Sequence, residues 1–188
     1  MADIDGNHTP HGPEVNRETL EGLIGAIEEV PTRGQSQWKA ETEWHGGFRS
    51  EAKIRNFTFK MDEPEALGGS DTAPNMVEAV LGAYGCCLTT GYAMNALRRN
   101  IKLEDIRISL EGDLDLRGFL GLADPQEVSP GYSGIRVDVT LVPAPGTDAQ
   151  ALRALHDDVL RTSPVGAIIG RPVDVTHVLK VAEAPVPA

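Results

Sequence analysis

Cys86 and Cys87 stand side by side in the run 74–99, PNMVEAVLGAYGCCLTTGYAMNALRR, and they are the two cysteines of the sequence. An ionised thiol on an apolar scaffold is a nucleophile, whereas a neutral buried one is a small core residue. A bridge between the two is disfavoured. Adjacent Cα atoms lie about 3.8 Å apart, usual disulfides span about 4.4–6.8 Å, and helical neighbours point about 100° apart. His156 and His177 could each pair with a thiol, although a surface or satisfied histidine is the commoner outcome. Ser163 with His156 makes a poor hydrolase pair, because Ser163 precedes Pro164 and lacks the glycines of a nucleophile elbow. Tyr84, Tyr92 and Met94 read as packing or pocket wall, and Asp157 and Asp158 as a solvated helix face.

The elements that must hold these groups follow from periodicity. Residues 1–14 are polar with Gly6, Pro10, Gly12 and Pro13, so they read as a loose tail; His8 and His11 in it read as solvated. Asn16 caps a helix through about Val30, with Leu20, Leu23, Ile24 and Ile27 on one face. From Ser36 the period changes to two. Residues 36–44, 48–54 and 57–61 read as three antiparallel strands, turning at His45-Gly46-Gly47, with Arg49 and Arg55 on the hairpins. By default those arginines are solvated or in surface ion pairs. Residues 62–75 form a loop in which Gly68-Gly69 permits positive φ and Pro74 opens the long helix. Gly82, Gly85 and Gly91 each cost about 1 kcal/mol of helix propensity against alanine. Three of them imply a buried helix packed against another backbone, and Asn100 stops it. Residues 101–116 alternate as a strand with a bulge near Gly112; 117–134 is a long loop; 135–142 is a strand pairing antiparallel with the previous one. Thr147 or Asp148 caps a further helix ending near Ser163-Pro164. Residues 165–170 turn the chain, 173–181 is a last strand, and 182–188 is a tail.

Composition narrows the function. The chain has a formal net charge of -11 and 24% charged residues, with no Lys/Arg cluster, so nucleic acid is not an expected partner. No apolar run approaches membrane-spanning length and no signal peptide is visible. Two cysteines in 188 residues form no disulfide framework, and no metal or cofactor spacing uses them; a reducing cytoplasm is the expected setting. One domain spans 1–188, with 15–30 as an extra N-terminal helix.

Several stretches together resemble the OsmC/Ohr family, named for osmotically inducible protein C and organic hydroperoxide resistance. They are the hairpin WHGGFR, the run GGSDTAPNMVEAVLGAYGCCL, then LEGDLDLRG, PGYSGIRVDVTL and TSPVGAIIGRPVDVTHVL, in order over about 36–181. The resemblance implies an α+β fold, a curved antiparallel sheet wrapping a long central helix, in an intertwined homodimer with active sites at the subunit interface. It further implies a peroxiredoxin-like, cysteine-based reductase of organic or hydrogen peroxides, serving the oxidative stress response. A peroxidatic cysteine attacks the O–O bond and becomes a sulfenic acid; a resolving cysteine in a Cys-Pro motif condenses with it, and an external reductant resets the pair.

Matched residue by residue, the peroxidatic position is Cys87, and the thiolate-stabilising arginine is Arg49, or alternatively Arg55. Three departures stand out. The resolving position is Ser163, which cannot form a disulfide. The family's usual glutamate position is Val77; Glu78 lies one residue later, roughly opposite Cys87 on the helix, so it could act on the thiol only through another residue. Cys86 is an extra thiol, expected to pack in the core. The sequence therefore reads as a thiol-dependent peroxidase with one peroxidatic cysteine and an external thiol reductant. The alternative is a non-catalytic member of the fold holding a small apolar ligand.

Overall fold

The computed structural model describes residues 15–182. The tail 1–14, with His8 and His11, and residues 183–188 lie outside the described residues.

Asn16 caps α1 (Arg17–Glu29) by accepting from the Thr19 N–H at 2.9 Å. No residue of α1 is buried. Its anchor is polar: the Arg17 guanidinium donates to Leu97 O at 2.8 Å and Asn100 Oδ1 at 3.1 Å.

A three-stranded antiparallel sheet follows, β1 (Glu41–Trp44), β2 (Ser50–Ile54) and β3 (Phe57–Met61), in that order. β1 is shorter than its alternating sequence predicts. Glu41 already faces Lys53, and β2 ends at Ile54, so residues 36–40 have no strand to pair with there. The first turn uses the positive φ of Gly46 and Gly47. The second places Arg55 at φ 57, so Arg49 and Arg55 flank β2 rather than lie within it.

Residues 62–75 are held by a buried carboxylate. Asp62 accepts from the N–H groups of Glu63, Ser70 and Thr72 at 2.9, 3.2 and 3.1 Å, and from the Thr72 hydroxyl at 2.8 Å. Gly69 closes the same loop so tightly that a Cβ there would overlap the Glu63 carbonyl. Burial pushes the Asp62 carboxyl up. The Thr72 hydroxyl and the three N–H groups together outweigh it and hold the group below its ordinary value. A depressed carboxyl contributes stability above its unfolded-state value, and the contribution is lost as pH falls through the folded one. Asp62→Asn is therefore expected to melt at least about 5 °C below the parent at pH 7. That gap should narrow below about pH 3.8, the ordinary carboxyl value. Thermal melts followed by circular dichroism at both pH values check this; an unchanged gap would overturn the assignment.

The loop delivers the chain to α2 (Met76–Arg98). Pro74 lies outside the helix. Asn75 is the cap, in a reciprocal box: Asn75 Oδ1 accepts from the Glu78 N–H at 2.8 Å and Glu78 Oε2 from the Asn75 N–H at 2.9 Å. After Arg99 the chain leaves through Asn100 at φ 54. Two of the helix glycines meet close neighbours. A Cβ on Gly85 would stand 2.8 Å from Leu110 Cδ1, and one on Gly91 3.0 Å from Val159 Cγ1. Gly82 faces open space.

β4 (Leu103–Leu114) and β5 (Tyr132–Pro143) form a separate two-stranded antiparallel sheet. The irregularity expected near Gly112 falls between Asp113 and Leu114, and a second lies between Leu103 and Asp105. The long connection between them holds a short helix, α3 (Leu116–Phe119), capped by Asp115. The Arg117 side chain and N–H hold the Asp115 carboxyl down at about 2. α4 (Ala149–Thr162) is capped by Asp148, and Ser163 caps α5 (Pro164–Gly170), a helix where the sequence reading placed only a turn. Proline at the first helical position after a serine cap explains it.

α2 packs on β4, α4 and α5. The core is Leu88, Tyr92 and Ala96 of α2 with Leu155 and Val159 of α4, covered by Ile106, Ile108, Val137 and Val139 of the two-stranded sheet. Asp158 is not simply solvated: it ion-pairs with Arg99 and with Arg161, tying α4 to the end of α2. The expected strand over 173–181 is absent. Residues 171–182 are exposed and pair with no described strand, so their alternation has no edge to join. No helix of the described residues is long and apolar enough to cross a membrane.

Candidate functional site

The two thiols of α2 differ in setting. Cys86 is exposed and Cys87 half-buried. Core packing was expected of Cys86; one step of about 100° turns it off the face that meets α4 and α5 and onto the open side of the helix. Cys87 Sγ stands 3.4 Å from Ser163 Oγ. So α2 and the α4–α5 junction bring together the matched cysteine and the residue at the resolving position, 76 residues apart in the chain.

Ser163 is fixed from several sides. It is 6% exposed. It ends α4 and caps α5, its Oγ accepting the Gly166 N–H at 3.1 Å. Gly166 is needed for the close approach: a Cβ there would stand 3.1 Å from the Tyr84 ring and 3.0 Å from Ser163 Oγ. Tyr84, one turn before Cys87, is thus a pocket wall, as its position on the helix suggests.

Beside this junction runs an open cleft of about 460 Å³ between α2, β5 and α5, walled by Val80, Tyr84, Tyr132, Ile135, Val137 and Ile169. Tyr132 is the member that sequence reasoning missed, since it lies in the stretch read as loop. Its hydroxyl donates to Val77 O at 2.8 Å, and burial, with the nearby Glu78 charge, pushes its phenol up. It is therefore a neutral donor throughout the ordinary pH range. Strand alternation alone would have put it on the outward face with Arg136; the irregularity between Asp113 and Leu114 brings it to the side of Ile135 and Val137.

The other candidates lie elsewhere or are already engaged. Tyr92 is fully buried; burial, then Tyr84, pushes its phenol up, and its hydroxyl bonds to His156 Nδ1. The rings also stack, 6.1 Å apart. His156 is thus a satisfied histidine, and His177 lies on the exposed segment 171–182. Glu78 is spent in the α2 cap. Arg49 donates to His45 O at 3.3 Å and lines a different hollow of about 400 Å³ with His45, Glu51, Lys60 and Thr72. The Arg55 guanidinium lies over the Phe57 ring, 5.2 Å from its centre. Neither arginine hydrogen-bonds or ion-pairs with Cys87 of the same chain.

Comparison with known proteins bears on the fold and the family. The profile of the OsmC-like protein family matches residues 68–178, from the Gly-Gly loop through α2 and the Cys87–Ser163 junction. An OsmC-like protein from Mycoplasma pneumoniae superposes with a TM-score of 0.60 at 12% identity, covering 72% of this chain and 89% of that one. A Psychrobacter arcticus protein, described as a putative osmotic stress induced and detoxification response protein, superposes with a TM-score of 0.55 at 15% identity, covering 70% and 88%. An organic hydroperoxide resistance protein from Legionella pneumophila superposes with a TM-score of 0.51 at 20% identity, covering 72% and 91%. No curated protein sequence matches the chain. At these identities the superpositions speak for the fold, and the profile match speaks for the family: the chain belongs to the OsmC-like family.

Proposed function

We propose that the protein is a thiol-dependent peroxidase with Cys87 as its peroxidatic residue, working as a homodimer in the cytoplasm with an external thiol as reductant. The observation that carries the reading is the meeting of Cys87 and Ser163 beside an apolar cleft. The Cys87 thiolate attacks one peroxide oxygen. An S–O bond forms, the O–O bond breaks, and the alcohol leaves with a proton. The resulting sulfenic acid condenses with one external thiol and expels water. A second thiol then displaces Cys87 as the oxidised reductant departs. Ser163 offers no sulfur, so the external thiol carries both reducing steps.

In this reading Arg49, or Arg55, reaches Cys87 from the hairpins of a second copy. Supporting it, the three-stranded sheet packs chiefly on itself, and α2 leaves Gly82, Ala83, Cys86 and Thr90 exposed, a small-residue face that admits a second helix closely. Gly82→Trp is expected to convert a dimer into a monomer near the chain mass of 20.1 kDa in sedimentation analysis. A parent chain already monomeric at micromolar concentration would overturn the dimer.

The chemistry is tested by adding one equivalent of an alkyl hydroperoxide and trapping sulfenic acid with a 1,3-diketone. Mass spectrometry should place the adduct on Cys87. A second reading, a non-catalytic member holding a small apolar ligand, is favoured by the apolar walls of the cleft and by Glu78 being held in a cap. Absence of the adduct, together with an apolar ligand retained through purification, would select that reading.

A further inference from the structure

We infer that Ser163 is the hydrogen-bond donor that holds the reactive sulfur of Cys87 in its charged form, a positioning role in place of a second thiol. The inference rests on the reading of Cys87 as a nucleophile. A hydroxyl has one proton to give and two lone pairs to offer. One lone pair of Ser163 Oγ is taken by the Gly166 N–H at 3.1 Å. The proton needs an acceptor, because Ser163 is 6% exposed. Among the described residues the group within reach is Cys87 Sγ, at 3.4 Å. A charged sulfur has no proton to give, so with Cys87 ionised the bond runs from the serine hydroxyl to the sulfur.

The donor is set in place ahead of the reaction. Ser163 has φ -67 and ψ 115, is followed by Pro164, and is pinned as the cap of α5. Cys87 is carried by α2 between the buried residues Gly85 and Leu88. A hydrogen bond made to the charged form of a group favours that form.

No charged group of the same chain competes for the sulfur among the described residues. β4 turns Ile106, Ile108 and Leu110 inward, and α5 carries no titratable side chain. On α4, His156 is taken by Tyr92, and Asp158 by Arg99 and Arg161. On β5, Tyr132 is taken by Val77 O. On α2, Glu78 is taken by Asn75, and neither Tyr84 nor Cys86 hydrogen-bonds to Cys87. The serine hydroxyl is the polar partner this chain gives to Cys87.

The test is iodoacetamide alkylation of the folded full-length protein, read at the Cys87 peptide by mass spectrometry from pH 6 to 10. Ser163→Ala is expected to slow the reaction about tenfold at pH 7, with the curves converging at pH 10. Ser163→Thr, which keeps both the hydroxyl and the helix cap, should react like the parent. Equal rates for parent and Ser163→Ala at pH 7 would overturn the inference. So would a slowing of the same size at every pH, which is what a merely structural loss of the α5 cap produces. A parent Cys87 that fails to alkylate across the range overturns the nucleophile reading itself, and this inference with it.

Discussion

Cys87→Ala is expected to lower hydroperoxide consumption with an external monothiol by at least about 10³-fold, the scale on which removal of a covalent nucleophile acts. Cys86→Ala should leave the rate within about twofold of the parent. The contrast follows from the setting of the two thiols. Cys87 is half-buried against Ser163, at the junction of three helices and beside the apolar cleft. Cys86 is exposed on the open side of α2. Both replacements remove a single sulfur and neither residue is fully buried, so neither variant should lose much stability. Initial rates of peroxide loss, measured with native circular dichroism as a control, decide the matter. A Cys87→Ala protein with the parent rate would end the peroxidase reading; a loss in Cys86→Ala instead would move it to the neighbouring thiol.

Ser163→Cys should change the kind of reductant the protein needs. With Oγ only 3.4 Å from Cys87 Sγ, a sulfur at position 163 needs only a modest side-chain rotation to reach the S–S distance of about 2.05 Å. After one equivalent of hydroperoxide the variant should lose two of its three thiols and carry no adduct, since the new sulfur expels water from the Cys87 sulfenic acid. The parent should lose one of its two cysteine thiols and accept an added monothiol. Turnover by the variant should then favour a dithiol reductant. The change also removes a good helix cap from α5, which costs about 1 kcal/mol and lowers Tm by about 2–4 °C. A covalent bond outweighs that loss, so the oxidised variant should melt above its own reduced form. Persistence of a trappable sulfenic acid in Ser163→Cys would show that the two positions do not meet in solution.

The elements with strong local signals are legible in the sequence. The 3.6-residue spacing of α1, the Phe57–Met61 strand and the alternation of β4 stand where their periodicity places them, whereas β5 already begins at Tyr132, inside the stretch read as loop. The interior glycines of α2 mark close packing in part: Gly85 and Gly91 meet the side chains of Leu110 and Val159 rather than another backbone, and Gly82 faces open space. Lengths that depend on a partner are not legible. Residues 36–40 alternate as a strand should, but β2 turns away before it can pair with them. Residues 173–181 alternate as well, and no described strand receives them. Within the site, the identity of Cys87 follows from a motif, whereas its contact with Ser163 depends on how α4 and α5 fold over α2. In the sequence the serine stands out for the sulfur it lacks. Its adjacency to Pro164, the pairing that starts a helix, already gives it a second task. Asp62 is one loop carboxylate among several in the sequence; only the ring of donors around it sets it apart.

The uncovered segment 171–182 bears on the handling of the protein. Val173, Val175, Val178, Leu179 and Val181 are all more than half exposed, from 58% to 88%. A valine-rich extended stretch with unpaired backbone groups is a template for strand addition by any other chain. Pro172, Asp174 and Lys180 interrupt it, as residues that discourage stacking do. Dilution during refolding should therefore suppress strand addition between chains and raise soluble yield.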